Sequence, residues 1–260
     1  MKLRLIAVLI ASVLIPSLGH AQERVSISMN GIGDGFRSAF DYPLERNLLS
    51  GKSYGTSGID VTAKVAITNF VAAGYRYQYE ELRNAQSFDR SVVNGTANIR
   101  TEPDLGHKSG HEQYQEVFGS FALPKTHGHS FLVGVMNAKL DRQWQWETSI
   151  GTTGSEYKDS YTGLVVGGEG KQKLGAVAID YAGRLFPHLN RTTSGGNTHG
   201  ELDSSGYELR ATATWMVARH IGLTGGYEFR RFRTEGPDSP WVINENQDSK
   251  KVIAGVRFSF

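Results

Sequence analysis

The 260-residue sequence contains no cysteine, so neither disulfides nor thiolate metal sites hold this fold, and an oxidising compartment places no demand on it. Beyond residue 21 it lacks any run near the roughly 18 apolar residues that a membrane helix requires. It also lacks a charge surplus, since 28 Lys and Arg stand against 26 Asp and Glu. Without a basic stripe, nucleic acid is not expected as a partner. His107 and His111 are four apart, a helical spacing in a Gly-rich stretch, and no third ligand is placed beside them, so neither metal nor cofactor is expected. "GIGDGF", Gly31 to Phe36, has no helix after it to make a phosphate cradle.

What is present begins with "MKLRLIAVLIASVLIPSLGHAQ". Lys2 and Arg4 precede an apolar run from Leu5 to Leu14, Pro16 breaks it, and Gly19 and Ala21 supply the small residues of a cleavage site. Residues 1–21 are therefore expected to be a secretory signal peptide, with 22–260 forming one domain.

Within that domain, apolar residues recur at every second position. Ile59, Val61, Ala63, Val65 and Ile67 alternate with Asp60, Thr62 and Lys64; Tyr75, Tyr77 and Tyr79 alternate with Arg76, Gln78 and Glu80. Only a pleated strand puts such sets on opposite faces. The pattern predicts ten strands: Arg24 to Asn30, Ile59 to Ile67, Val71 to Glu81, Glu112 to Leu123, Ser130 to Glu147, Tyr157 to Gly167, Lys173 to Phe186, Tyr207 to Val217, Leu223 to Arg233 and Lys251 to Phe260. Eight or twelve are the alternatives, the latter by promoting "SVVNGTANIR" to its own hairpin through Asn94-Gly95; that hairpin is read here as an extension above the membrane. On the strand from Ser130, Leu132, Met136, Ala138 and Leu140 are assigned to the lipid face, leaving Arg142 as the one misfit.

Short links (Thr68 to Phe70, Pro124 to His129, Gly168 to Gln172, Ala218 to Gly222) alternate with long ones such as Gly31 to Gly58 and Leu82 to Ser109. This is the habit of a transmembrane antiparallel up-and-down β-barrel with tight periplasmic turns and larger outside loops. Trp144, Trp146, Tyr77, Tyr79, Tyr157 and Phe229 are expected to form its outer aromatic girdle. The chain ends in "VRFSF".

The signal peptide, the alternating strands and this ending resemble the outer-membrane β-barrel proteins of Gram-negative bacteria. The resemblance implies an outer-membrane location among phospholipid and lipopolysaccharide. It also implies that Val256, Phe258 and Phe260 are read by the barrel-assembly machinery during insertion.

Inward positions are expected to include Arg76, Glu80, Glu116, Lys139, Asp141, Asp180, Arg184, Glu208, Arg210, Glu228, Arg230 and Arg257. In so narrow a barrel these charges must pair. They form either a plug or, with Arg76, Arg184, Arg210, Arg230 and Arg257 as an anion ladder, a narrow porin-like channel for small polar or anionic solutes. Surface binding of an extracellular ligand or adhesion through the loops is the alternative. An outer-membrane hydrolase ranks third. The omptin proteases share the strand count, but their acidic pair and Asp-His pair have only Glu80, Glu81 and His188 as counterparts here, so no enzyme is expected.

Overall fold

A computed structural model describes residues 24–42, 48–93, 96–103, 110–124, 126, 128–148, 151–194, 200–235 and 244–260. Residues 1–21, expected to be a signal peptide, lie outside the described residues. Eleven strands are present: β1 (Val25–Tyr42), β2 (Leu48–Ala66), β3 (Val71–Val93), β4 (Thr96–Pro103), β5 (His111–Ala122), β6 (His129–Thr148), β7 (Gly151–Leu174), β8 (Val177–Ser194), β9 (Gly200–Ala218), β10 (Ile221–Thr234) and β11 (Asn244–Ser259). Ten of them form the wall. The short β4 pairs only with the far end of β3, from Gln86↔Pro103 to Val93↔Thr96, so the two form an extension and not an eleventh stave; Asn94 and Gly95 themselves lie outside the described residues.

Every neighbouring pair is antiparallel, and β1 pairs with both β2 and β11. The additional β2–β3 pairing is part of the same continuous ring. Closure follows from the solvent: lipid offers no hydrogen-bond partner, so a spanning sheet must have no free edge.

The exterior shows which solvent that is. Val117, Val135, Leu164, Leu185 and Leu209 are 54–58% exposed on the outer face, on strands β5 to β9. Burying one such side chain is worth about 1.5–3 kcal/mol, and a band of them running round a water-soluble protein would not persist. The band is lipid-facing, and the protein spans a membrane with its strands.

Two expectations are corrected by the wall itself. The link between β7 and β8 is not Gly168 to Gln172: pairing continues through Lys173↔Ala178 to Leu174↔Val177, and the chain turns at Gly175-Ala176. Gly175 has φ +63°, a conformation that favours glycine, whereas the glycines at 167, 168 and 170 stay in the strand. The long link from Gly31 to Gly58 is a paired hairpin, β1 and β2 remaining in register up to Tyr42↔Leu48. Backbone groups outside the membrane find partners by continuing the ladder.

Candidate functional site

Three zones stack inside the barrel. At the end carrying the short links from β2 to β3, β5 to β6, β7 to β8 and β9 to β10 lies an open cup of about 620 Å³. That end is periplasmic by the habit of such barrels. The cup wall is hydroxyl-rich, with Ser26, Ser28, Thr62, Ser120, Thr212 and Thr224 among its lining residues. Two ion pairs cross it: Lys64 with Glu169, which Ser120 also contacts, and Arg257 with Asp180 at 2.7 Å.

Above the cup, a charged layer spans the interior. Arg76, 1% exposed, donates to Asp60 at 3.1 Å, to Glu208 at 2.6 Å and to Glu228. Those partners come from β2, β9 and β10, so one guanidinium ties opposite walls together. Arg184 joins Glu116 (2.9 Å) to Glu208 (3.1 Å), and Arg210 holds both oxygens of Asp60 at 2.7 and 2.9 Å. Arg230 reaches Glu112 at 2.7 Å. Lys251 pairs with Glu80 and donates to Gln78 at 2.9 Å. Charges stripped of water are tolerated only when matched in this way.

An aromatic and apolar layer abuts the charged one. Tyr114, Tyr161, Phe186 and Phe232 pack with Leu132, Met136 and Leu189 as one cluster, with Tyr161 and Phe232 stacked at 5.2 Å. The Arg230 guanidinium lies 4.4 Å from the Tyr114 ring centre, a favourable placement of a cation on an aromatic face. Gly74 makes room for this packing, since a Cβ there would meet the Phe118 ring at 2.2 Å. Beyond lies a second ionic cluster. Arg142 bridges Asp159 and Glu245; Arg191 contacts the same two carboxylates at 2.9 and 2.6 Å. Thr193 donates to Asp159 at 2.8 Å.

Of the expected inward residues, Arg76, Glu80, Glu116, Arg184, Glu208, Arg210, Glu228 and Arg230 meet in the charged layer, while Asp180 and Arg257 pair in the cup. Lys139 and Asp141 do not face inward. Lys139 is exposed on the outer face, and Asp141 lies 3.3 Å from His111 on the outer face of β5. The phase of β6 is reversed because its inward row is buried, Leu132, Met136 and Ala138 against the aromatic layer and Leu140 against Phe36, Tyr54 and Leu82. Arg142, the misfit, was the inward residue that could have set the phase.

Not named among the inward residues were Asp60, Gln78, Glu112, Lys251, Asp159, Arg191 and Glu245, although the alternation already sets Asp60 and Gln78 opposite the apolar face. Glu112 and Lys251 continue rows already assigned inward, so extending the alternation finds them together with Asp60 and Gln78; Asp159 lies within the strand expected from Tyr157 to Gly167, and Arg191 and Glu245 lie on strand extensions read as loops. Val256, Phe258 and Phe260 face outward at the periplasmic end, with the Phe260 ring stacked on His220 at 5.7 Å. Tyr77, Tyr79 and Phe229 lie on the outer face; the side chains of Trp144, Trp146 and Tyr157 are outside the described set, as is His107. Among the described residues, no group of three His, Asp or Glu is arranged to hold a metal ion.

With the geometry in view, comparison with known proteins places the fold. No protein-family model matches the sequence, and no curated protein matches it. Among solved structures, the outer membrane protease OmpT of Escherichia coli superposes with a TM-score of 0.67 at 10% identity, covering 94% of this chain and 99% of that one. The β domain of the Bordetella autotransporter BrkA is 13% identical over 91% of this chain and all of that one, with a TM-score of 0.38. Neisserial surface protein A matches at 12% identity over 91% of this chain and 97% of that one, TM-score 0.28. The chain has the fold of a Gram-negative outer-membrane β-barrel. Its lipid-facing band shows that this fold spans a membrane.

Proposed function

We propose that this is an occluded outer-membrane barrel that acts through the strand extensions it raises outside the cell, binding an extracellular ligand or surface. One observation carries the reading: the layer centred on Arg76, backed by Tyr114, Tyr161 and Phe232, fills the cross-section between the cup and the outer strands. A sealed lumen leaves the external face as the working surface. There β3 runs on to Val93 and pairs with β4, and β1 and β2 stay paired to Tyr42↔Leu48. Rigid scaffolds that hold extended segments in this way commonly use them for binding.

The protein is non-catalytic in this reading. Glu80 is sealed by Lys251 inside the wall while Glu81 pairs with Arg83 outside it, so the two carboxylates do not share a site. His188 comes within 3.8 Å of Asp203, but both are exposed on the outer face. Its lipid partners are outer-membrane phospholipid and lipopolysaccharide, and Val256, Phe258 and Phe260 serve as the assembly signal.

The narrow channel is the second reading, favoured by the cup, which gives solutes access from the periplasm as far as Arg76. Planar-bilayer recording separates the two. The purified barrel is expected to be electrically silent, and cells carrying a Gly-Ser link in place of residues 84–109 to lose attachment to a panel of immobilised polysaccharides and matrix proteins while the barrel still assembles. Stepwise conductance from the unaltered protein overturns the occluded reading in favour of the channel.

A further inference from the structure

We propose that the periplasmic cup is a binding site for a small polyanion, a solute bearing two or more phosphate or carboxylate groups. The inference does not rest on the role given to the outer extensions, since the cup opens on the opposite side of the membrane.

Size is the first argument. A cavity of about 620 Å³ lies within the range of roughly 300–1,000 Å³ typical of small-molecule sites.

Charge placement is the second. Among the described residues lining the cup, eight Lys and Arg stand against two acidic side chains, Glu169 and Asp180. The carboxylates that neutralise Arg76, Arg184 and Arg210, namely Asp60, Glu116, Glu208 and Glu228, belong to the layer above and do not line the cavity. Arg76 and Arg184 are enclosed by these carboxylates, so of the three it is Arg210, its side chain 13% exposed, that a ligand rising from the periplasm reaches. Arg24, Lys171 and Lys173 line the same cavity, where they raise the local concentration of anions.

Hydrogen bonding is the third. Thr212, Thr214 and Thr224, with Ser26, Ser28 and Ser120, surround the space with hydroxyls, which donate to phosphate or carboxylate oxygens without adding net charge. The wall keeps its Lys64–Glu169 and Arg257–Asp180 pairs half open to the cavity, the side chains being 30% and 19% exposed in the first and 14% and 29% in the second. An arriving anion can share Lys64 and Arg257 with their resident partners, and charge-assisted bonds are the stronger kind.

The test is isothermal titration of the full barrel in uncharged detergent with tripolyphosphate, with citrate and, as a neutral control, with maltotriose. At least one anion is expected to bind and the sugar not to. Binding by tripolyphosphate alone assigns the site to phosphate compounds, binding by citrate alone to carboxylates, and binding by both to either. Arg257→Gln and Lys64→Gln are each expected to weaken the anion about tenfold, with Arg257→Lys retaining most of the affinity. Asp180→Asn and Glu169→Gln are expected to tighten it several-fold, which a purely structural role for these pairs does not produce. Heat-dependent mobility on gels confirms that each variant folds, and Lys250→Gln, on the outer face, is expected to leave binding unchanged. Heat from neither anion, equal heat from the sugar, or acid-removing variants that fail to tighten binding overturns the proposal.

Discussion

Below Asn30 the lumen is a cup in which hydroxyls and two half-open ion pairs border free volume; from Arg76 to Arg142 the same cylinder is packed across its width. The wall is continuous between the two regions, so strand number does not explain the contrast. Side-chain length does. Ser, Thr and Ala are set between the Lys and Arg of the cup's lining, as in Ser26, Ser28, Thr212 and Thr214, whereas the packed region projects Arg, Glu, Tyr and Phe from every side. Long side chains from opposite strands meet at the axis; short ones leave it open. The comparison also separates two kinds of ion pair, one with water at its side and one wholly enclosed. Enclosed charges depend on their partners far more strongly.

Substitutions in the two regions test this contrast. Arg76→Ala leaves Asp60, Glu208 and Glu228 facing one another with one guanidinium fewer, and about 3–5 kcal/mol of stability is expected to be lost in urea titrations of the barrel in lipid vesicles. A wild-type midpoint for this variant would show that the charged layer does not hold the opposing walls together. Phe232→Ala removes a ring stacked on Tyr161, and the resulting cavity is expected to cost about 3 kcal/mol in the same titration; bilayer recordings of this variant show whether the aromatic layer alone holds back ions. Arg142→Ala is expected to cost less, about 2 kcal/mol, because Arg191 still contacts both Asp159 and Glu245. If thermal melting in detergent shows it as damaging as Arg76→Ala, the two ionic clusters are equally tight. Lys64→Met in the cup is expected to change stability by less than about 1 kcal/mol, since water screens the pair it breaks.

Much of this was legible residue by residue. Ile59 to Ile67 and Tyr75 to Tyr79 declare their two faces, and on β8, β9 and β10 the charged row faces inward as the alternation implies. β6 was not legible. Both of its rows are largely apolar, one toward lipid through Val133 and Val135, the other toward the aromatic layer through Leu132 and Met136, and a two-residue period cannot say which apolar row is inside. The turn at Gly175 was hidden for a related reason. Glycines at 167, 168 and 170 read as a break, yet each is held in the ladder by a neighbour on β6 or β8.

Long alternating strands, with a row of charges opposite a row of apolar side chains, are dictated by the residues alone. Those follow from local stereochemistry and from the demand that backbone groups in lipid find partners along the sheet. Which carboxylate answers which arginine was decided only by the closed barrel, because Arg76 meets Glu208 and Glu228 across more than 130 residues of chain. The open cup was decided there too: free volume is a property of how opposing walls meet, and no single strand carries it.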